Sequence, residues 1–365
     1  VSAWVTESAL REHTLVYIAP HVGSGGPGDY ATGFVEAARP YFGDVVEIRH
    51  RGPGGDTVRD VRKARAQIRD VVAAFGTDRT IVHGELSGGS LVPFWALPTD
   101  PDIRVTATLH DAPRPVWQPF RTPAVARTRG AFHLVQFPVD RWVRQLESRR
   151  MRNTSVFVLS TCGSRSAQAM FPDWRVIATE IYVPPRGDLP PPSQRPLAVG
   201  MFGYVYRGKG FDELTRLREL IDPAVEIRIA GRGTEALPPM DGVRVLGAVE
   251  GAAEDEFFGS IRMLLAPYGA RSLYGGYAVP ASATAARSLA YLTPVAAYAE
   301  GALAELAATG AAQVVPPKPE NLAAWVNASI ANGRLLDEMS QAARTTRTVR
   351  APDRVIGDFV REWSR

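Results

Sequence analysis

Five places in this 365-residue chain combine residue types that could do chemistry. The run Pro20-His21-Val22-Gly23-Ser24-Gly25-Gly26-Pro27-Gly28-Asp29 joins an expected strand to an expected helix. Its glycines would let backbone N–H groups approach an anion at a helix N-terminus, with Gly25 and Gly26 the candidates. The spacing is not G-x-G-x-x-G and no G-K-[ST] follows, so a plain flexible turn is the competing reading. His110-Asp111 ends another expected strand. A histidine there can donate to a substrate hydroxyl or carbonyl, or else cap the next turn. His83 with Glu85 has a similar strand-end setting, and these two with Asp111 are further candidates.

In Tyr206-Arg207-Gly208-Lys209-Gly210, between a strand and a helix, Arg207 and Lys209 are placed to meet a phosphate, with a solvated turn as the alternative. Ser282-Ala283-Thr284 opens a helix of small residues. Small side chains would admit a ligand to the first-turn N–H groups, and Ser282 can equally be an ordinary N-cap. The fifth place, 121–152, carries Arg121, Arg127, Arg129, Arg141, Arg144, Arg149, Arg150 and Arg152, interleaved with Phe132, Phe137, Trp142, Val143, Leu146 and Met151. It reads as a membrane-surface face or as a solvated face.

The elements around these places alternate. Strands are expected at 15–19, 45–48, 80–83, 104–109, 130–135 and 155–160, and helices at 30–41 and 57–75. Asp56 is the expected cap of the second helix, and Val58, Val61, Ile68, Val71 and Val72 its apolar stripe. Short strands, apolar on both faces and alternating with helices, indicate a buried parallel sheet. Seven residues between Pro184 and Pro196 are proline or glycine, which reads as a stiff linker. The rhythm then restarts, with strands at 197–202, 225–230, 243–246, 261–266, 294–297 and 313–315 and helices at 210–220, 283–291, 321–330, 335–345 and 355–363. The expected fold class is therefore α/β, with one domain over 1–190, a second over 191–345, and a tail over 346–365.

Composition narrows the function. The formal charge is only +4, which gives no reason to expect a nucleic-acid partner. Cys162 is the single cysteine, so neither an internal disulfide nor a cysteine-built zinc site can form. No run of ~18 apolar residues and no signal-peptide pattern occurs, so the expected location is cytoplasmic. Lysine stands only at 63, 209 and 318, against heavy use of arginine, alanine, glycine and proline. That bias suggests a GC-rich, actinobacterial-type genome and makes Lys209 stand out.

From Leu197 to Thr345 the chain resembles the GT-B glycosyltransferases, in particular the retaining family 4-like enzymes. The motifs are Phe202-Gly203 through Lys209-Gly210, Ile229-Ala230-Gly231-Arg232-Gly233, Val245-Leu246-Gly247-Ala248-Val249, Ala266-Pro267-Tyr268, Ser282 twelve residues before Pro294, and Gly301 with Glu305. The resemblance implies two Rossmann-like domains facing across a cleft that closes about the 184–196 hinge. It implies a nucleoside-diphosphate-sugar donor on the second domain and a small-molecule or glycolipid acceptor on the first, with His83, Glu85 and Asp111 as the acceptor-side candidates. Gly203, Gly231, Val249, Tyr268, Ser282, Ala283 and Thr284 would bind the donor. Lys209, Arg207 and His110 would be catalytic, with Gly25-Gly26 closing over the diphosphate. His110 would hold the donor sugar or polarise a hydroxyl. No cofactor or metal is implied. The chain departs from the family at its two spaced glutamates, whose places are taken by Val279 and Arg287, and at Ala283 and Tyr204. A degenerate GT-B protein that binds nucleotide or a partner without turnover is the alternative, and an epimerase or phosphorylase a third reading.

Overall fold

The computed structural model describes residues 10–128, 131–205, 208–269, 271–273 and 276–365. The chain divides into two compact units: Val1–Glu180 with Ser272–Ala281 and Pro352–Arg365, and Ile181–Arg271 with Ser282–Ala351.

Along the first unit run β1 (Thr14–Pro20), α1 (Gly26–Ala38), β2 (Asp44–His50), α2 (Val58–Phe75), β3 (Thr80–Leu86), α3 (Leu91–Ala96), β4 (Arg104–Leu109), β5 (Asp111–Ala112), α4 (Pro123–Ala126), α5 (Ala131–Arg150), β6 (Thr154–Val158), α6 (Thr161–Met170) and β7 (Arg175–Ala178). The main sheet is ordered β2-β1-β3-β4-β6-β7, and every pair is parallel. This is the flavodoxin-like order, with its switch point between β1 and β3. Helices cover both faces, so β1 and β3 are buried at every position.

The second unit carries β8 (Ala198–Phe202), α7 (Leu214–Leu220), β9 (Glu226–Ala230), β10 (Val243–Gly247), α8 (Ala252–Gly259) and β11 (Met263–Ala266). After β12 (Arg271–Leu273) and β13 (Gly276–Pro280) come α9 (Ala283–Ala290), β14 (Val295–Tyr298), α10 (Gly301–Leu306), β15 (Ala312–Val315), α11 (Pro319–Ser329) and α12 (Gly333–Val349). The order β10-β9-β8-β11-β14-β15 is the Rossmann order 3-2-1-4-5-6, with the switch point between β8 and β11. β13 pairs antiparallel with β5. The last helix, α13 (Pro352–Trp363), belongs to the first unit, where Phe359 and Trp363 pack edge-on against Phe34 of α1.

Three local expectations are corrected. Residues 131–135 are helical rather than extended: they open α5, while Gly130 lies outside the described residues. The apolar run there misleads because the buried face of α5 is polar, formed by Gln136, Asp140 and Glu147 with Val143. The cap of α2 is Thr57, whose side chain exchanges bonds with Asp60 in a capping box. Asp56 instead turns inward, accepting from Leu91 and Val92 N at the start of α3. Val58 is exposed, and the α2 stripe runs through Val61, Ala64 and Ile68.

The proline-rich stretch is not a free linker. It belongs to the second unit, which begins at Ile181. Arg195 is buried and donates to the carbonyls of Pro190, Phe258, Ile261 and Tyr291 and to Thr293 Oγ1. Asp188 bridges Arg344 and Arg347, and Ser193 bonds Asp337. These ties hold the segment on α12 and beneath β11.

Candidate active site

Two clusters gather the expected residues, one at the carboxyl edge of each sheet. In the first unit, register places Tyr17 of β1 beside His83 of β3, His83 beside Thr106 of β4, and Glu85 beside Thr108. Side chains two apart on a strand share a face, so these polar groups form one ladder inside an apolar core. Tyr17 Oη donates to Glu85 Oε1 at 2.7 Å. His110, just past β4, bonds Glu85 Oε2 through Nε2 at 2.6 Å. His83 reaches Thr106 Oγ1 at 2.7 Å through Nδ1 and Thr108 Oγ1 at 2.9 Å through Nε2. Trp363 Nε1 donates to Thr106 Oγ1 at 2.9 Å, joining the C-terminal helix to the network.

The electrostatics follow from burial. Burial alone would raise the Glu85 carboxyl, but hydrogen bonds from His110 and His83 outweigh it and hold the group at about 2. Glu85 is thus an ionised, acceptor-only carboxylate at neutral pH. Burial and the neighbouring Glu85 charge push the Tyr17 phenol up, so it stays a donor. His110 consequently presents an Nε2–H to Glu85.

His83 and Glu85 are fully buried, whereas the His110 side chain is about one-tenth exposed. Asp111 Oδ2 accepts from Gly88 N at 3.2 Å. Gly25 and Gly26 stand at the start of α1, where no side chain caps the helix. Asp29, in its first turn, accepts from Gly23 N at 2.9 Å. That carboxylate places negative charge inside the loop expected to receive an anion.

In the second unit, Lys209 Nζ donates to Tyr268 Oη at 2.6 Å and to Thr284 Oγ1 at 3.3 Å. Tyr268 follows β11 and Thr284 sits in the first turn of α9, so the lysine lies at the β8/β11 switch point, where open α/β sheets bind ligands. Ser282 is the N-cap, accepting from Ala285 N at 3.1 Å, and Ala283 is exposed. The sheet edge here is tightly packed backbone. Gly231 has φ +139°, and a Cβ on it would overlap the carbonyl of Gly203. On Gly203 itself a Cβ would stand 3.1 Å from Thr284 Oγ1. Gly203, Gly231, Tyr268, Thr284 and Lys209 therefore come together. Val249 packs against the cluster that holds Ala230, Phe257, Phe258 and Ile261. Arg207 lies outside the described residues.

Tyr17, Thr106 and Thr108 escaped the sequence reading. Their signal was the recurrence of a polar residue at every second position in otherwise apolar strands. Among the described residues, no helix is long and apolar enough to cross a membrane.

No protein-family model matches the chain, and no curated protein does. Solved structures do. HepE of Anabaena, in complex with UDP and glucose, is similar with a TM-score of 0.64 at 12% identity, over 96% of this chain and 99% of that one. WaaG, a glycosyltransferase involved in lipopolysaccharide biosynthesis, gives 0.59 at 12% identity, over 96% and 98%. TarM gives 0.59 at 12% identity, over 83% of this chain, which spans 58% of TarM. Two parallel-sheet Rossmann-like units with this likeness define a GT-B glycosyltransferase fold.

Proposed function

We propose that this protein transfers a sugar from a nucleoside-diphosphate sugar to an acceptor hydroxyl, with retention at the anomeric carbon and without a metal. The observation that carries the proposal is Lys209 at the switch point, between Tyr268 and Thr284 and beside the start of α9. Departure of the nucleoside diphosphate develops negative charge on its β-phosphate. Lys209, with Arg207 and the first N–H groups of α9, would stabilise that charge where it grows. The second unit would hold the donor. The first would hold the acceptor, with His110 Nδ1 positioned by Glu85 to hold a sugar hydroxyl or polarise the reacting one. The UDP in the HepE structure makes a uridine donor the first to try.

A peripheral membrane contact belongs to the same reading, and α5 supports it. Its acidic residues Asp140 and Glu147 turn inward onto the buried Arg114, at 2.6 and 2.8 Å. Outward stand Leu134, Phe137 and Trp142, which are 80%, 70% and 64% exposed, beside exposed Arg141 and Arg149. An apolar face flanked by arginines suits an anionic bilayer, which fits a glycolipid acceptor and an inner-membrane location.

Arg287 favours the second reading, nucleotide binding without turnover. It stands where related enzymes carry a ribose-binding glutamate, and it is engaged with Glu254 at 3.3 Å. Thermal stability against GDP, UDP, ADP and dTDP and their sugar conjugates tests the donor site, since ligand at ~100 times Kd adds about 2.7 kcal/mol. A rise with one nucleotide followed by sugar transfer supports the transferase. A rise with neither transfer nor slow donor hydrolysis supports the second reading, and no rise with any nucleotide overturns both.

A further inference from the structure

We propose that the acceptor carries an anionic group, a phosphate or a carboxylate, and that Arg121 binds it. The inference rests on the transferase reading above and concerns the first unit alone. Arg121 is half-buried, yet its guanidinium makes no hydrogen bond or ion pair with any described residue. A charge drawn from water without a partner costs free energy, and an arginine cannot shed its proton to escape that cost. Nearby arginines are engaged: Arg144 with Asp140, and Arg150 with the carbonyls of Phe94, Trp95 and Leu97 at the end of α3.

A Cβ on Gly89 would stand 3.0 Å from Arg121 Cδ and 3.2 Å from Nη1, and one on Gly54 would stand 3.5 Å from Nε. Two loops therefore come close to this side chain at glycines. One follows β2 and the other follows β3, so both lie at the carboxyl edge of the sheet. The carboxylates of these loops are spent on holding them. Asp56 is fully buried, with Oδ1 accepting from Gly52 N and His50 Nδ1 and Oδ2 accepting from Leu91 and Val92 N. Asp111 takes the N–H of Gly88, which ties the β3 loop to the strand end carrying His110. A guanidinium without a partner among the described residues, set against a loop that is tied to the strand end carrying His110, suits a substrate whose hydroxyl reacts while its anion is clamped.

The test is thermal unfolding of the full chain against inorganic phosphate, in the wild type and in Arg121→Gln, Arg121→Lys and Lys209→Ala. Phosphate is expected to raise Tm by a few degrees in the wild type and in Lys209→Ala. The rise should fall to less than a third in Arg121→Gln and recover in part in Arg121→Lys. An equal rise in Arg121→Gln and the wild type, or one lost only in Lys209→Ala, overturns the assignment. Kinetics with glucose 6-phosphate and with glucuronate then separate the two anions: the one whose KM rises at least 10-fold in Arg121→Gln is the chemistry the site takes, and no rise with either overturns the proposal. If no nucleotide stabilises any variant, the transferase reading fails, while the phosphate shifts still decide Arg121.

Discussion

Glu85 Oε2 lies 2.6 Å from His110 Nε2, and the two residues are 25 positions apart on neighbouring strand ends. The bond turns Nε2 toward the buried carboxylate, and in the proposed transfer Nδ1 is the nitrogen that would meet the substrate. Glu85→Gln removes the charge that fixes this, so kcat should fall roughly 100-fold, in the range of a lost acid–base contribution. Nucleotide affinity should stay within twofold, because Glu85 belongs to the first unit and the proposed donor site to the second. Adding His110→Ala to Glu85→Gln should cost little more than either change alone, since the pair acts as one device. Steady-state kinetics with a nucleotide titration checks this, and fully additive losses would separate the two residues.

Glu85 also makes stability depend on pH. Its folded value of about 2 lies below the 4.5 of an ordinary glutamate, so the unfolded chain takes up this proton first as pH falls. The contribution is complete above about pH 4.5 and is lost as pH falls through about 2, amounting to ~3 kcal/mol. Urea unfolding of the wild type and Glu85→Gln should differ most at pH 6 and converge toward pH 2. A difference independent of pH would show that the carboxylate charge is not what the site stabilises.

Lys209→Ala should lower kcat/KM by roughly 2–4 kcal/mol of transition-state stabilisation, by analogy with a lost oxyanion donor. Tm should hardly move, because the lysine's bonds to Tyr268 and Thr284 lie at the sheet edge. An unchanged kcat/KM would remove Lys209 from the mechanism.

Gly231→Ala should destabilise the second unit by about 3 kcal/mol or more. The added methyl overlaps the carbonyl of Gly203, and φ +139° is strained for any L side chain. The displaced β8 end should also weaken nucleotide binding. Urea unfolding and nucleotide-induced shifts measure the two effects, and a variant as stable as the wild type would contradict the close approach.

On α5, Phe137→Ser with Trp142→Ser should abolish sedimentation with vesicles containing phosphatidylglycerol while Tm stays within about 2 °C, as expected for exposed positions. Arg114→Met should instead cost ~3–5 kcal/mol, because it leaves Asp140 and Glu147 buried without their cation. Undiminished vesicle binding by the double variant would place any membrane contact elsewhere.

The sequence by itself determined the two αβ halves, most strand positions and the placement of Lys209 and His110 just past strand ends. Strand-end residues and periodic apolar runs are local signals, and a parallel sheet gathers the residues after each of its strands at one edge. It could not show that the 184–196 stretch is clamped by Arg195, because those bonds join positions up to 98 residues apart. It misread α5, whose buried face is polar and whose exposed face is apolar, against the usual sense of an amphipathic helix. Tertiary structure alone decided that His83 and Glu85 lie inside the core and that Tyr17 completes their network, because cross-strand register is a long-range property. It also decided which arginines are spent on carboxylates and carbonyls, because a charge count along the chain carries no information about where each partner lies in space.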